Sequence, residues 1–270
     1  MKTRNSILFF FAAVFAAVSA QAQSGPERTT IPLSDPSRPA TVQVELFNGN
    51  IEVQGYSGKE IAVEADGGGS IRNTHPPEHA DGLRRIDANS STLSVDQAAN
   101  VVAIKPGPFG NITRLALKVP YSSMLKLKTL NGDITVDQIS GDAEVEAFHG
   151  TVKLTGISGA ALVHSMSGKI NTVFARVPET KAVSLSSLNG DVDVTLPATA
   201  RVNLRAKTDN GGVYTDFDVK LQPDSGMKIM TRHGHGPDGL ERATVGTING
   251  GGAELQLTTF NGNIYIRKAK

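Results

Sequence analysis

Five dipeptides ending in glycine fall nine residues apart: Asn131-Gly132, Ser140-Gly141, His149-Gly150, Ser158-Gly159 and Ser167-Gly168. A fixed period constrains a fold more than any local propensity. One short unit laid down repeatedly can bury its apolar face only against its own neighbours.

Aligned on the glycine, the units read GDITVDQIS, GDAEVEAFH, GTVKLTGIS, GAALVHSMS and GKINTVFAR. The third column is Ile134, Ala143, Val152, Ala161 and Ile170; the fifth is Val136, Val145, Leu154, Val163 and Thr172. Between them stand Thr135, Glu144, Lys153, Leu162 and Asn171. Positions three and five therefore point inward and position four outward, the period of a strand. The eighth column, Ile139, Phe148, Ile157, Met166 and Ala175, is expected to turn inward again beyond a bend. A strand and a glycine corner make one nine-residue side, and two sides make an 18-residue lap. Stacked laps would place like side chains over like at about 4.8 Å. The expected fold is all-β: a solenoid with coils of about 18–22 residues.

The signature recurs at Phe47-Asn48-Gly49-Asn50-Ile51, Leu188-Asn189-Gly190-Asp191-Val192 and Phe260-Asn261-Gly262-Asn263-Ile264, with weaker copies at Asn210-Gly211 and Asn249-Gly250. After Ser167 the interval stretches to 22 and then 21 residues, which longer coils would absorb. Asn-Gly between apolar runs is also the leading hairpin signal, so an antiparallel β-sandwich or barrel is the alternative architecture.

The first residues read as a secretory leader, with Lys2 and Arg4 before an apolar run from Ile7 to Val18 and Ala20-Gln21-Ala22 as cleavage site. Cleavage is expected after Ala22. Loss of Lys2 and Arg4 turns the formal charge of +1 into −1, which offers no case for nucleic acid or an anionic membrane. No second apolar run is long enough to span a bilayer, so no membrane insertion is expected after cleavage. The chain has no Cys, which removes disulfides, a lipid-modified cysteine and thiolate metal sites. Residues 23–40 carry four prolines and read as an irregular lead-in, and 41–65 as a first strand pair. A single domain is expected over 41–270, with loop insertions at about 66–90 and 222–242.

The Asn-Gly-Asp-Ile-x-Val repeats, the run VPYSSMLKLKT at Val119–Thr129, the step Leu196-Pro197-Ala198 and the closing run from Gly246 to Ile264 resemble the bacterial putative-adhesin family. The likeness covers roughly residues 41–267. It implies a right-handed, parallel β-helix-like fold, a non-enzymatic role and residence outside the cytoplasm, and it brings no catalytic residues.

Candidate chemistry is sparse. His75-Pro76-Pro77-Glu78-His79 spells a zinc-hydrolase pattern, but that pattern needs a helix and the prolines forbid one. His233-Gly234-His235, with Asp238, could chelate a metal only from a glycine-loosened loop. Asp133, Asp142 and Asp191, with Asn50 and Asn263, follow corner glycines. One acid per unit is thin for calcium, which takes six to eight oxygens, so bonding to their own turn backbone is expected. Asp191 with Asp193, and Glu144 with Glu146, are the carboxylate pairs a glycosidase would need. His149 and His164 fall in different columns and make no relay. Phe47, Phe148 and Phe260 read as core anchors, and Lys126 with Lys128, like Arg84 with Arg85, as solvated faces. No catalytic, cofactor or metal residue is assigned. The expected function is an exported, non-catalytic structural, adhesin-like or binding module at the cell envelope, periplasmic or extracellular. Its partner would be an envelope protein or a surface polysaccharide, and its oligomeric state stays open. An envelope-stress accessory protein and, further off, a polysaccharide-processing enzyme are the competing readings.

Overall fold

A computed structural model of the chain describes residues 27–67, 93–106, 112–222 and 243–270. Among these residues every regular element is a strand. The first group is β1 (Glu27–Pro32), β2 (Thr41–Asn48), β3 (Asn50–Tyr56), β4 (Glu60–Gly67), β5 (Leu93–Ala98), β6 (Val101–Pro106) and β7 (Ile112–Pro120). The regular middle holds β8 (Met124–Asn131), β9 (Ile134–Asp137), β10 (Ala143–His149), β11 (Val152–Ile157), β12 (Ala161–Ser167), β13 (Ile170–Phe174), β14 (Val183–Asn189) and β15 (Val192–Leu196). The last group is β16 (Val202–Asn210), β17 (Val213–Thr215), β18 (Val219–Leu221), β19 (Ala243–Ile248), β20 (Ala253–Asn261) and β21 (Ile264–Lys268).

The middle of the chain alternates between two sheets, so that β8 with β9, β10 with β11, β12 with β13 and β14 with β15 each form one lap. Neighbouring laps pair in parallel with like positions matched: Ala143 lies beside Leu125 and Ala161, and Val152 beside Ile134 and Ile170. The third and fifth columns are buried between the sheets and the fourth faces out. The Asn-Gly pairs at 48–49, 131–132, 189–190 and 261–262 are corners from one sheet to the other, not the hairpins of the sandwich alternative.

The sheets are mixed, however. The ten-stranded sheet runs β1-β4-β7-β3-β9-β11-β13-β15-β21-β17 and the eleven-stranded one β18-β19-β16-β20-β14-β12-β10-β8-β2-β6-β5. Pairing is parallel from β6/β7 through to β16/β17 and antiparallel outside it, at β1-β4-β7, β5-β6 and β16-β19-β18. Antiparallel strands thus cover three of the four sheet ends, blunting edges that a bare solenoid would leave open to other chains.

Stacking order also departs from chain order. The lap β2/β3 lies directly on β8/β9, so Asn48 meets Asn131 across 83 residues, and β6/β7 sits outside it. At the other end the final lap, β20/β21, is wedged between β14/β15 and β16/β17, which puts Asn261 beside Asn189 and Asn210. The 22-residue interval is real stacking; the 21-residue interval that follows is not.

Three further expectations need correction. Residues 23–40 are not wholly irregular, because β1 pairs along its length with β4. Residues 41–65 hold parts of three strands, and β4 continues to Gly67 into the expected insertion. The eighth column does not turn inward throughout: Ile139 and Ile157 are buried, whereas Phe148 is 43% exposed and Met166 half-buried. Strands β8, β10 and β12 run straight on to the corner, so period two carries Phe148 out after Ala147 goes in. On the other sheet β9 stops at Asp137, and the bend that follows swings Ile139 under the core. The expected leader, residues 1–22, and most of both expected insertions lie outside the described residues.

Candidate functional site

Five of the glycine corners are closed by a side chain bonding the lap beside them. The Thr151 N–H donates to Asp133 Oδ1 (2.7 Å), the Ala160 N–H to Asp142 Oδ1 (3.0 Å) and the Asn263 N–H to Asp191 Oδ1 (2.9 Å). Asn50 and Asn263 accept in the same way from Asp133 and Gly212. The corner acids therefore bond backbone, as expected, but that of the next lap rather than their own. Asp142 is further paired with Lys181 (2.7 Å), and Asp191 with Lys169 (3.6 Å). Among the described residues no three His, Asp or Glu side chains converge as a metal site.

The paired carboxylates of the enzyme reading are each held by a cation. Lys126 meets Glu144 and Lys128 meets Glu146, both at 2.9 Å across adjacent strands, and Arg267 meets Asp193 at 3.0 Å. The Lys128 ammonium is pushed above its ordinary value, first by its hydrogen bond to Glu146 and also by the charge of Glu45. The two lysines face solvent as expected. His149 and His164 are exposed and stand in separate rows. His75, His79, His233, His235, Asp238, Arg84 and Arg85 lie outside the described residues.

The outer face of the eleven-stranded sheet carries what sequence reasoning misplaced. Phe47 is 64% exposed and Phe260 47%, so neither they nor Phe148 anchor the core. The registers put Phe47, Leu130, Phe148, Met166, Leu188 and Phe260 in successive laps as one row. At about 4.8 Å per lap, five steps make an apolar ladder about 24 Å long. Beside its first four rungs lies a groove of about 380 Å³, edged by Glu45, Lys128, Glu146 and His164. Counting by twos from the buried Val145 and Ala147 would have found the ladder, because Phe148 then has to point out.

The outer face of the ten-stranded sheet carries a second feature near its capped end. Ala62 on β4 and Ala116 on β7 both face outward, and their short side chains leave a floor among long ones. Arg28, Glu52, Gln54, Glu64, Arg114 and Lys118 stand around it, and the depression measures about 630 Å³. Arg114 grips Glu52 through two nitrogens (2.9 and 2.6 Å) and reaches Asp66 (3.1 Å), while Arg28 holds Glu64 at 3.0 Å. The hydrogen bonds from Arg114 hold the Glu52 carboxyl below its ordinary range against a smaller opposing effect of burial. Glu52, and then Asp66, raise Arg114 in turn. The result is a rim of paired charges and one amide, that of Gln54, around an alanine floor. No helix among the described residues is long and apolar enough to cross a membrane.

None of the curated proteins matches the chain. The fold is similar to crystal structures of a putative cell adhesion protein from Clostridium sporogenes ATCC 15579 (12% identity, TM-score 0.48, 90% of this chain and 100% of that one) and of a putative adhesin from Bacteroides fragilis NCTC 9343 (10% identity, TM-score 0.40, 91% and 98%). The model of the Toastrack DUF4097 family matches residues 1–267, and the chain belongs to that family.

Proposed function

We propose that the chain is an exported, non-catalytic binding module of the cell envelope whose ligand is a polar surface polymer, a polysaccharide first of all. The observation that carries this is the alanine-floored depression on the ten-stranded sheet. It extends over five neighbouring strands, β1, β4, β7, β3 and β9, which suits a chain lying across them. Repeat faces of this breadth fit extended ligands. The non-catalytic part is supported by the carboxylates being engaged already: both oxygens of Asp193 lie 3.0 Å from Arg267 Nε, and Glu144, Glu146 and Asp191 each have an oxygen held by a lysine. Export rests on the leader-like first 22 residues. The laps are taken to wind right-handed, as crossovers between parallel strands of one sheet do in about 98% of cases.

A glycan panel probed with the full mature chain tests the reading. Ala116→Leu fills the floor without replacing any member of an ion pair and should weaken polymer retention about tenfold or more, as the loss of one or two net hydrogen bonds at about 1 kcal/mol each would. Gln54→Ala should weaken it several-fold. Retention unchanged by Ala116→Leu, or reducing ends released from any polymer on the panel, overturns it.

A further inference from the structure

The apolar ladder on the eleven-stranded sheet is self-complementary, and we propose that it is the contact face of a dimer formed with a second copy of this chain. Read along the stack, the rungs run Phe47, Leu130, Phe148, Met166, Leu188, Phe260. The order is nearly the same in both directions. A two-fold axis lying on the face, parallel to the strands and between the third and fourth rungs, sets Phe47 against Phe260 of the second copy. It likewise sets Leu130 against Leu188 and Phe148 against Met166. These are an aromatic pair, an aliphatic pair and a sulfur–aromatic pair.

The charges agree with this arrangement. In the row two residues before the ladder stand Glu45, Lys128, Glu146, His164, Ser186 and Thr258. The same half-turn places Glu146 opposite His164, Lys128 opposite Ser186 and Glu45 opposite Thr258. One row further, Gln43 meets Gln256, Lys126 meets Ser184 and Glu144 meets Leu162, itself 53% exposed on that face. Across the six ladder laps no like charges oppose each other in any of the three rows, which is the condition an isologous interface has to satisfy; the half-turn brings Lys105 of β6 over Lys207 of β16 only outside those laps, at the solvent rim. The area is sufficient. Six ladder laps at about 4.8 Å, each offering about seven residues of strand at about 3.3 Å, give a face of roughly 650 Å² per partner, or about 1,300 Å² in all, within the range of a standard interface. A dimer so formed leaves both alanine-floored depressions facing outward, and two sites on one particle bind a polymer with greater avidity than one.

The inference does not depend on the polymer reading, and the two fail separately. Sedimentation velocity of the full mature chain should show a monomer–dimer equilibrium at micromolar concentration. Phe148→Glu, at an exposed rung, should leave the thermal melt unchanged and shift the equilibrium at least a hundredfold toward monomer. Ala116→Leu should leave it untouched. The native chain has no Cys, so introduced ones report geometry cleanly. Packed sheets lie about 10 Å apart, beyond the reach of a disulfide, so a bis-maleimide of that span is the probe. Phe47→Cys mixed with Phe260→Cys should cross-link, and Phe47→Cys alone should not. A native chain that stays monomeric to about 100 µM, a dimer that survives Phe148→Glu, or cross-linking of Phe47→Cys to itself overturns the proposal.

Discussion

Gly150 has a φ of +143°, and a Cβ there would stand 2.1 Å from the carbonyl oxygen of Gly132 in the neighbouring lap. The nine-residue ruler therefore has a steric origin: backbone passes over backbone at the corners with no room for a side chain. Gly150→Ala should cost about 1–3 kcal/mol in backbone conformation alone, and the clash adds to that. At about 2–4 °C per kcal/mol for a chain of this size, a calorimetric melt should fall by several degrees. Gly250 makes the contrast. Its φ is also positive, at +84°, but a Cβ would come no closer than 3.8 Å to Arg201, so Gly250→Asn should melt within about 2 °C of the parent. That these positions are glycine is written in the chain. Which glycines carry a neighbouring lap's carbonyl against them is not, because Gly132, with such a carbonyl at 2.1 Å from its Cβ position, and Gly250, without one, both follow an Asn.

Strands alternate in and out, and the test of that alternation needs two adjacent residues on β10. Val145 is fully buried and Glu144 pairs with Lys126 in solvent. Val145→Asp puts an unpaired charge between the sheets at a cost of several kcal/mol and should abolish the cooperative unfolding transition. Glu144→Ala should shift the urea midpoint hardly at all, as deletions of exposed pairs do. The cap strands give an acid-sensitive counterpart. Glu52, with its carboxyl held below the ordinary 4.5 by Arg114, favours the folded state above that value, and the benefit is lost as pH falls through the lowered folded value. Arg114→Met should therefore melt below the parent at pH 7, and the gap should close as the buffer is taken below about pH 4. A gap that widens in acid would contradict the pairing. The inward third and fifth columns were legible because each repeats a local chemical pattern. The outward turn of Phe148 follows from the same count of two but was masked by its own column, where Ile139 and Ile157 do turn inward and an apolar side chain reads as buried by default.

Across the whole molecule the final lap is a wedge rather than a frayed end. Leu257 on β20, fully buried thirteen residues from the terminus, packs beneath strands that pair with both β14 and β16. Terminal segments ordinarily tolerate change. Here Leu257→Asp should be as damaging as Val145→Asp, with loss of a single cooperative transition in urea. Native-state hydrogen exchange in β20 should be as slow as in β12. Fast exchange confined to β20 and β21 would mean that the last lap is only an appendage.

The repeat chemistry in the chain was enough for strand periodicity, the inward third and fifth columns, the corner glycines and the stacking of the nine-residue units. All of these follow from contacts between units 9, 18 or 22 residues apart, and each contact prints its own pattern in the order of amino acids. The insertion of the final lap, the position of β6/β7 outside β2/β3, the antiparallel caps, the depression over Ala62 and Ala116 and the exposed ladder come from pairings between segments up to 83 residues apart. Such pairings are chosen by which free edge remains when the chain returns, and an edge has no periodic signature along the sequence.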